Sequence, residues 1–172
     1  MASKNVLLEQ LSAFHTKIAS QSSRLAQQLG PRITCHKGCH QCCVDNLTVF
    51  GIEAEQIRTH ARHVLEDQAH PPGKCALLDE AGACRIYPWR PYVCRTQGLP
   101  LRFIEEEQGE WVEYRDICPL NEDGEPAIEE LEEQQCWTLG QAEGELAELQ
   151  RQYDSSMQRF HLRDLFKPVK PT

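Results

Sequence analysis

Four thiols crowded into residues 35–43, Cys35-His36-Lys37-Gly38-Cys39-His40-Gln41-Cys42-Cys43, constrain this chain more than any other stretch. Five further cysteines follow at Cys75, Cys84, Cys94, Cys118 and Cys136. Nine cysteines cannot all pair within one chain, so a pure disulfide framework is not expected. The start, Met-Ala-Ser-Lys-Asn, lacks an apolar run of signal-peptide length. No stretch approaches the ~18 apolar residues of a membrane span. The expected compartment is the cytoplasm, where thiols stay reduced and closely spaced cysteines serve as metal ligands.

Geometry limits how the first four thiols can act. On a straight helix they would share one face, but eight residues at ~1.5 Å rise separate the end cysteines widely. Tetrahedral zinc holds its sulfurs at ~2.3 Å, which requires ligands within a few ångströms of one another. Either the segment bends at Gly38, or only two or three of these thiols share a centre and later cysteines complete it. Cys75, Cys84, Cys94 and Cys118 are the later candidates, Cys118 preceding Pro119 as in some ferredoxin cluster motifs. The candidate ligand set is therefore Cys35, Cys39, Cys42, Cys43, Cys75, Cys84, Cys94 and Cys118. Eight ligands suffice for two four-cysteine centres, one bridged centre, or one centre with thiols left over. Lys37, Arg85, Arg90 and Arg95 lie beside the cysteines and would offset thiolate charge. With so many thiols present, the imidazoles of His36 and His40 are expected to stay off the metal. His60 and His63 read as surface residues, and Cys136 as a buried thiol.

Around this core the pattern is helical. Leu7, Leu11, Phe14, Ile18, Leu25 and Leu29 form the stripe of an amphipathic helix that Gly30-Pro31 ends. Residues 47–50 suggest a buried turn or strand fragment, and residues 52–65 a second helix. Prolines at 88, 91, 100 and 119 make residues 74–120 loop-rich, with a turn at residues 79–82. Residues 99–104 and 111–114 could pair as a hairpin across an acidic link. Leu139, Ala142, Leu146, Leu149, Tyr153, Met157 and Phe160 predict a C-terminal helix within residues 126–162. Residues 167–172 form a tail. The expected fold is mainly α, with a loop-rich, metal-organised cysteine core and at most a short hairpin. The expected organisation is a single domain over residues 1–172: an N-terminal helix to residue 30, the cysteine core at 35–118, and the C-terminal helix.

The formal net charge is −8, from 26 acidic and 18 basic residues, which opposes binding to a phosphate backbone. No nucleic-acid or membrane partner is expected; the partner is a metal ion, with room for a protein partner. There is no phosphate-binding glycine motif and no His-Glu-x-x-His, so no catalytic motif is evident. A Cys-x3-Cys-x2-Cys triplet of radical-SAM type occurs at Cys35, Cys39 and Cys42. The adjacent Cys43, the short chain and the lack of βα alternation argue against that chemistry.

The run Cys35-x3-Cys39-x2-Cys42-Cys43, followed by Cys84-Arg-Ile-Tyr-x2-Arg90-Pro91-x2-Cys94-Arg95, resembles the YkgJ-type cysteine-cluster family. The likeness covers roughly residues 35 to 118. It implies chelation of zinc or iron through these cysteines, an iron–sulfur cluster included, and brings no reaction with it. A flagellin lysine methylase carries a comparable cluster. The alternative it implies is an iron–sulfur redox protein or an accessory subunit of an oxidoreductase- or methylase-type enzyme.

Overall fold

The structure, a computed structural model, describes residues 3–36 and 38–166. Its first element is helix α1, Lys4–Leu29, which buries five of the six residues of the expected stripe, Leu7, Leu11, Phe14, Ile18 and Leu25, and half-buries Leu29 at its end. Gly30, at φ +55, ends it in a short 3-10 turn, Gly30–Arg32. The chain divides into two compact units. One comprises Met1–Ala13, His36–Pro91 and Ala147–Thr172; the other comprises Phe14–Cys35 and Tyr92–Leu146.

In the first unit, strand β1 (Thr48–Phe50) runs into helix α2 (Gly51–His60), and a break at Ala61 separates α2 from the single turn α3 (Arg62–Leu65). The start of α2 leaves backbone donors without intrahelical acceptors. Gln150 supplies one: its buried Oε1 accepts the Ile52 N–H at 2.9 Å, while its Nε2 donates to the Asp154 carbonyl at 3.0 Å. Strand β1 pairs antiparallel with a C-terminal strand, Arg159–His161, with Val49 opposite Phe160. Val49, Ala54, Ile57, Leu77, Leu78, Ile86, Leu162 and Leu165 form the core of this unit, with Cys75 among them and Cys43 and Cys84 packed against it.

The second unit is built on a hairpin of β2 (Leu101–Glu107) and β3 (Glu110–Asp116), to which β4 (Trp137–Thr138) adds a parallel third strand. The connecting pair, Gln108 and Gly109, has φ of 53° and 90°, the left-handed conformation that two-residue hairpin loops favour. Buried Tyr92 and Trp137 anchor the unit: the Trp137 indole N–H donates to the Tyr92 hydroxyl at 3.0 Å, and Phe14 lies 5.9 Å from the Tyr92 ring centroid. The last helix, α4, is Gln141–Tyr153, and the C-terminal strand that follows it is β5.

The mainly helical expectation is overturned. Helix accounts for 47% of the described residues and strand for 15%, arranged in two small sheets rather than one short hairpin. Two causes are local. The acidic residues 105–107 and 110, read as a link, lie inside the hairpin strands, because a two-residue turn lets pairing continue to Glu107 and Glu110. The expected helix over residues 126–162 is confined to α4. Upstream of it, Arg115 donates to the carbonyls of Ile128 and Leu131, and Trp137 N–H bonds the Pro100 carbonyl at 2.7 Å, so backbone groups go to the sheet instead of a helix. Downstream, Asp154 accepts from the Ser156 N–H at 2.9 Å and from its hydroxyl at 2.6 Å, a side-chain competitor that ends the helix. Phe160, expected on the helical stripe, pairs within β5. The expected tail, residues 167–172, lies outside the described residues.

Candidate metal centre

All nine cysteines are thiols. The first unit carries Cys39, Cys42, Cys43, Cys75 and Cys84; the second carries Cys35, Cys94, Cys118 and Cys136. Residues 38–43 form turns and no helix: Cys39 N–H bonds the His36 carbonyl and Cys43 N–H the His40 carbonyl, each at 3.0 Å. Gly38 takes φ +91, a bend that side-chain-bearing residues resist. The helix arithmetic is thus resolved by abandoning the helix. Lys37, expected as a charge partner, lies outside the described residues.

Within the first unit the thiol-bearing loops are tied together through their backbones. Cys75 N–H donates to the Cys43 carbonyl at 2.9 Å. From Cys75 the chain makes a tight reversal in which Leu78 bridges Cys84 and Arg85 N–H bonds the Leu77 carbonyl at 2.9 Å. Asp79 shapes that turn, its Oδ1 accepting the N–H groups of Ala81 at 2.9 Å and Ala83 at 2.8 Å.

The loop ahead of Cys75 is clamped by Arg163. Its Nε bonds Asp45 Oδ1 at 2.6 Å, and its terminal nitrogens donate to the carbonyls of His70 (2.8 Å), Pro71 (3.3 Å) and Lys74 (2.9 Å). Asp45, two residues after Cys43, also accepts the Gly73 N–H at 3.1 Å. The His40 Nδ1 lies 2.8 Å from the Gly38 carbonyl and, since a carbonyl can only accept, donates to it. The ring sits over Gly82, where a Cβ would stand 2.5 Å from Nδ1.

Electrostatics differ from thiol to thiol. A hydrogen bond from the Cys43 thiol holds the Cys42 thiol down at about 6, helped by Arg90 and His40 against the opposing effect of burial. A lowered thiol is the more readily converted to the thiolate that binds metal. Burial pushes the Cys75 and Cys84 thiols up, and the two are close enough for Cys84 to add to the effect on Cys75. Arg90 and Arg85 act in the other direction on Cys84.

In the second unit, Asn121 organises Cys35 and Cys118. Its Nδ2 donates to Cys35 Sγ at 3.6 Å and to the Gly98 carbonyl at 2.8 Å, and its backbone N–H bonds the Cys118 carbonyl at 2.8 Å. A Cβ at Gly98, which sits at φ +91, would overlap the Cys35 sulfur. Cys94 closes the 3-10 turn Tyr92–Cys94. Cys136 is buried, and burial raises its thiol; it lines an open groove of about 340 Å³ with Trp137 and the glutamines of α1. Spacing could not have shown Asp45, Arg163, Gly98 or Asn121, because each acts on a cysteine loop through long-range contacts.

The donors fit zinc or iron in kind: they are sulfurs, and one of them, Cys42, has its thiol pKa lowered by its neighbours. They are not closed around a point. Among the described residues, no three His, Cys, Asp or Glu side chains stand close enough to hold an ion.

A chain whose cysteines gather on loops in this way defines a thiol-rich metal-binding protein. It belongs to the CxxCxxCC family, described as "Putative zinc- or iron-chelating domain", whose match covers residues 34–119. No curated protein and no solved structure matches the chain. No helix among the described residues is long and apolar enough to cross a membrane.

Proposed function

We propose that the chain binds zinc or iron through Cys35, Cys39, Cys42, Cys43, Cys75, Cys84, Cys94 and Cys118, as a cytoplasmic binding or trafficking module without catalysis of its own. The observation that carries this reading is the reach of the family match. Residues 34–119 include all eight of these cysteines and leave out Cys136. The metal would draw the sulfurs into its own coordination geometry, and its binding free energy would contribute to folding. Asn121 would orient Cys35 by donating to its sulfur, and the Arg163–Asp45 clamp would hold the loop that delivers Cys75. A bound thiophilic ion supplies Lewis acidity and a fixed sulfur geometry.

The test is anaerobic purification followed by elemental analysis and an absorption spectrum. Zinc gives a colourless protein; iron bound as a sulfur cluster gives a brown one with sulfide-to-iron charge-transfer bands. Cys42→Ser and Cys43→Ser are expected to lower metal content, and Cys136→Ser to leave it unchanged. Full stoichiometry in both of the first two variants, or loss of a metal equivalent in the third, would sink the ligand assignment.

A further inference from the structure

In the first unit the cysteine turn at residues 39–43 is pinned at two points to the reversal that carries Cys75 and Cys84. The Cys75 N–H donates to the Cys43 carbonyl at 2.9 Å. His40, two residues before Cys42, lies against Gly82, two residues before Cys84. A Cβ at Gly82 would stand 2.5 Å from His40 Nδ1, so only glycine lets the two turns meet this closely. The reversal is itself closed, by the bridge of Leu78 with Cys84 and the bond from the Arg85 N–H to the Leu77 carbonyl.

Four thiols follow these ties. Cys75 belongs to the buried core of the unit, and Cys43 and Cys84 pack against that core. The Cys43 thiol donates to Cys42, which sets those two sulfurs side by side. Cys39 is held through its N–H on the His36 carbonyl and, among the described residues, shares none of these ties. Cys35, Cys94 and Cys118 belong to the other unit, where Asn121 bonds the Cys35 sulfur and the Cys118 carbonyl.

A cation serves the same set. Arg90 lies close enough to act on both Cys42 and Cys84. Its guanidinium is fixed by Tyr87: Nε donates to the Tyr87 carbonyl at 3.1 Å, and Cζ lies 3.6 Å from the ring centroid. Four thiolates on a divalent ion leave two negative charges, and a fixed guanidinium offsets one of them.

We propose that Cys42, Cys43, Cys75 and Cys84 together hold one ion, a centre complete within the first unit, with Arg90 as its countercharge. This centre rests on the chelating function proposed above and divides its ligands: Cys39 and the thiols of the second unit take no part in it. An all-sulfur set suits zinc or iron and not a hard cation such as magnesium or calcium. Turns and loops carry the four thiols, so the ion can draw the sulfurs in as it binds.

The test uses the full-length chain, stripped of metal and titrated without oxygen with zinc and, separately, iron(II). Each step is followed by thiol alkylation and peptide mapping. Cys42, Cys43 and Cys84, the partly exposed members, should gain protection along one shared course, a readout that needs no substitution. Cys84→Ser and Cys75→Ser should each raise the metal needed to protect Cys42 and Cys43 at least tenfold, and Arg90→Gln about tenfold. Cys39→Ser and Cys118→Ser should leave that course as it is in the unaltered chain. Melting curves of the metal-free variants identify any that fail to fold. Protection of Cys42 and Cys43 that survives Cys84→Ser, or that a folded Cys118→Ser abolishes, would overturn this centre and leave the chelating function standing. No protection of any cysteine by either metal would overturn both.

Discussion

The Asn121 side chain has two donor hydrogens and two acceptor lone pairs, and the fold uses all four. Oδ1 accepts from the N–H and the hydroxyl of Thr34, at 3.0 and 2.7 Å, while Nδ2 serves Gly98 and Cys35. At 2% exposure, water cannot replace these partners. Asn121→Ala is therefore expected to cost about 1–3 kcal/mol, measured by denaturant titration, because several buried groups lose a partner at once. Gly98→Ala acts on the same sulfur from the other side, combining a strained φ with an overlap on Cys35, and should lower both the melting temperature and the metal content. Asp45 gives a prediction with a sign. The Arg163 guanidinium holds its carboxyl below the ordinary carboxylate range. A depressed folded pKa contributes stability above the unfolded value of about 3.9 and loses it as pH falls through the folded value. Arg163→Met should thus lower the melting temperature more at pH 7 than near pH 2, where only its bonds to the carbonyls of His70, Pro71 and Lys74 remain to be lost. An equal loss at both pH values would show that the ion pair is not what Arg163 contributes.

At the scale of elements, legibility followed the range of the interactions. α1 could be read because its stripe of Leu7, Leu11, Phe14, Ile18 and Leu25 recurs at local spacing, and the turn at residues 79–82 because Asp79 caps it from within. The true extent of the hairpin was hidden, since glutamates in Glu105–Glu107 look like solvated linker until a two-residue turn pairs them. The C-terminal periodicity was genuine only between Gln141 and Tyr153. Outside that span, sheet partners far off in sequence, Pro100 for Trp137 and Val49 for Phe160, outcompete it. The candidate site shows the same division: the candidate ligands are marked by their spacing, whereas their supports reach them from afar, Arg163 standing 88 positions from Cys75 and Asn121 86 positions from Cys35. The hairpin turn offers its own test. Gln108 occupies a left-handed conformation that asparagine tolerates better, so Gln108→Asn should raise stability by something below about 1 kcal/mol. A drop in melting temperature would mean that the turn geometry is wrong.

At the scale of the whole molecule, metal and fold are expected to be linked. Treatment with a strong chelator should lower the melting temperature, with hydrogen-exchange protection lost first in residues 38–43 and 71–85, where loop backbone rather than regular structure carries the cysteines. Protection that is unchanged there would separate the metal from the stability of those loops. Arg163 extends this point. It lies well beyond residue 119, where the family match ends, yet three backbone carbonyls on the approach to Cys75 depend on its side chain. Leu162 and Leu165 beside it are core residues, and β5 just before it pairs with β1. The stretch that related proteins share is therefore not a piece that can be cut out: a fragment of residues 34–119 would keep every proposed ligand and lose the brace that positions one of them. What is inherited as a unit and what folds as a unit have different boundaries in this chain.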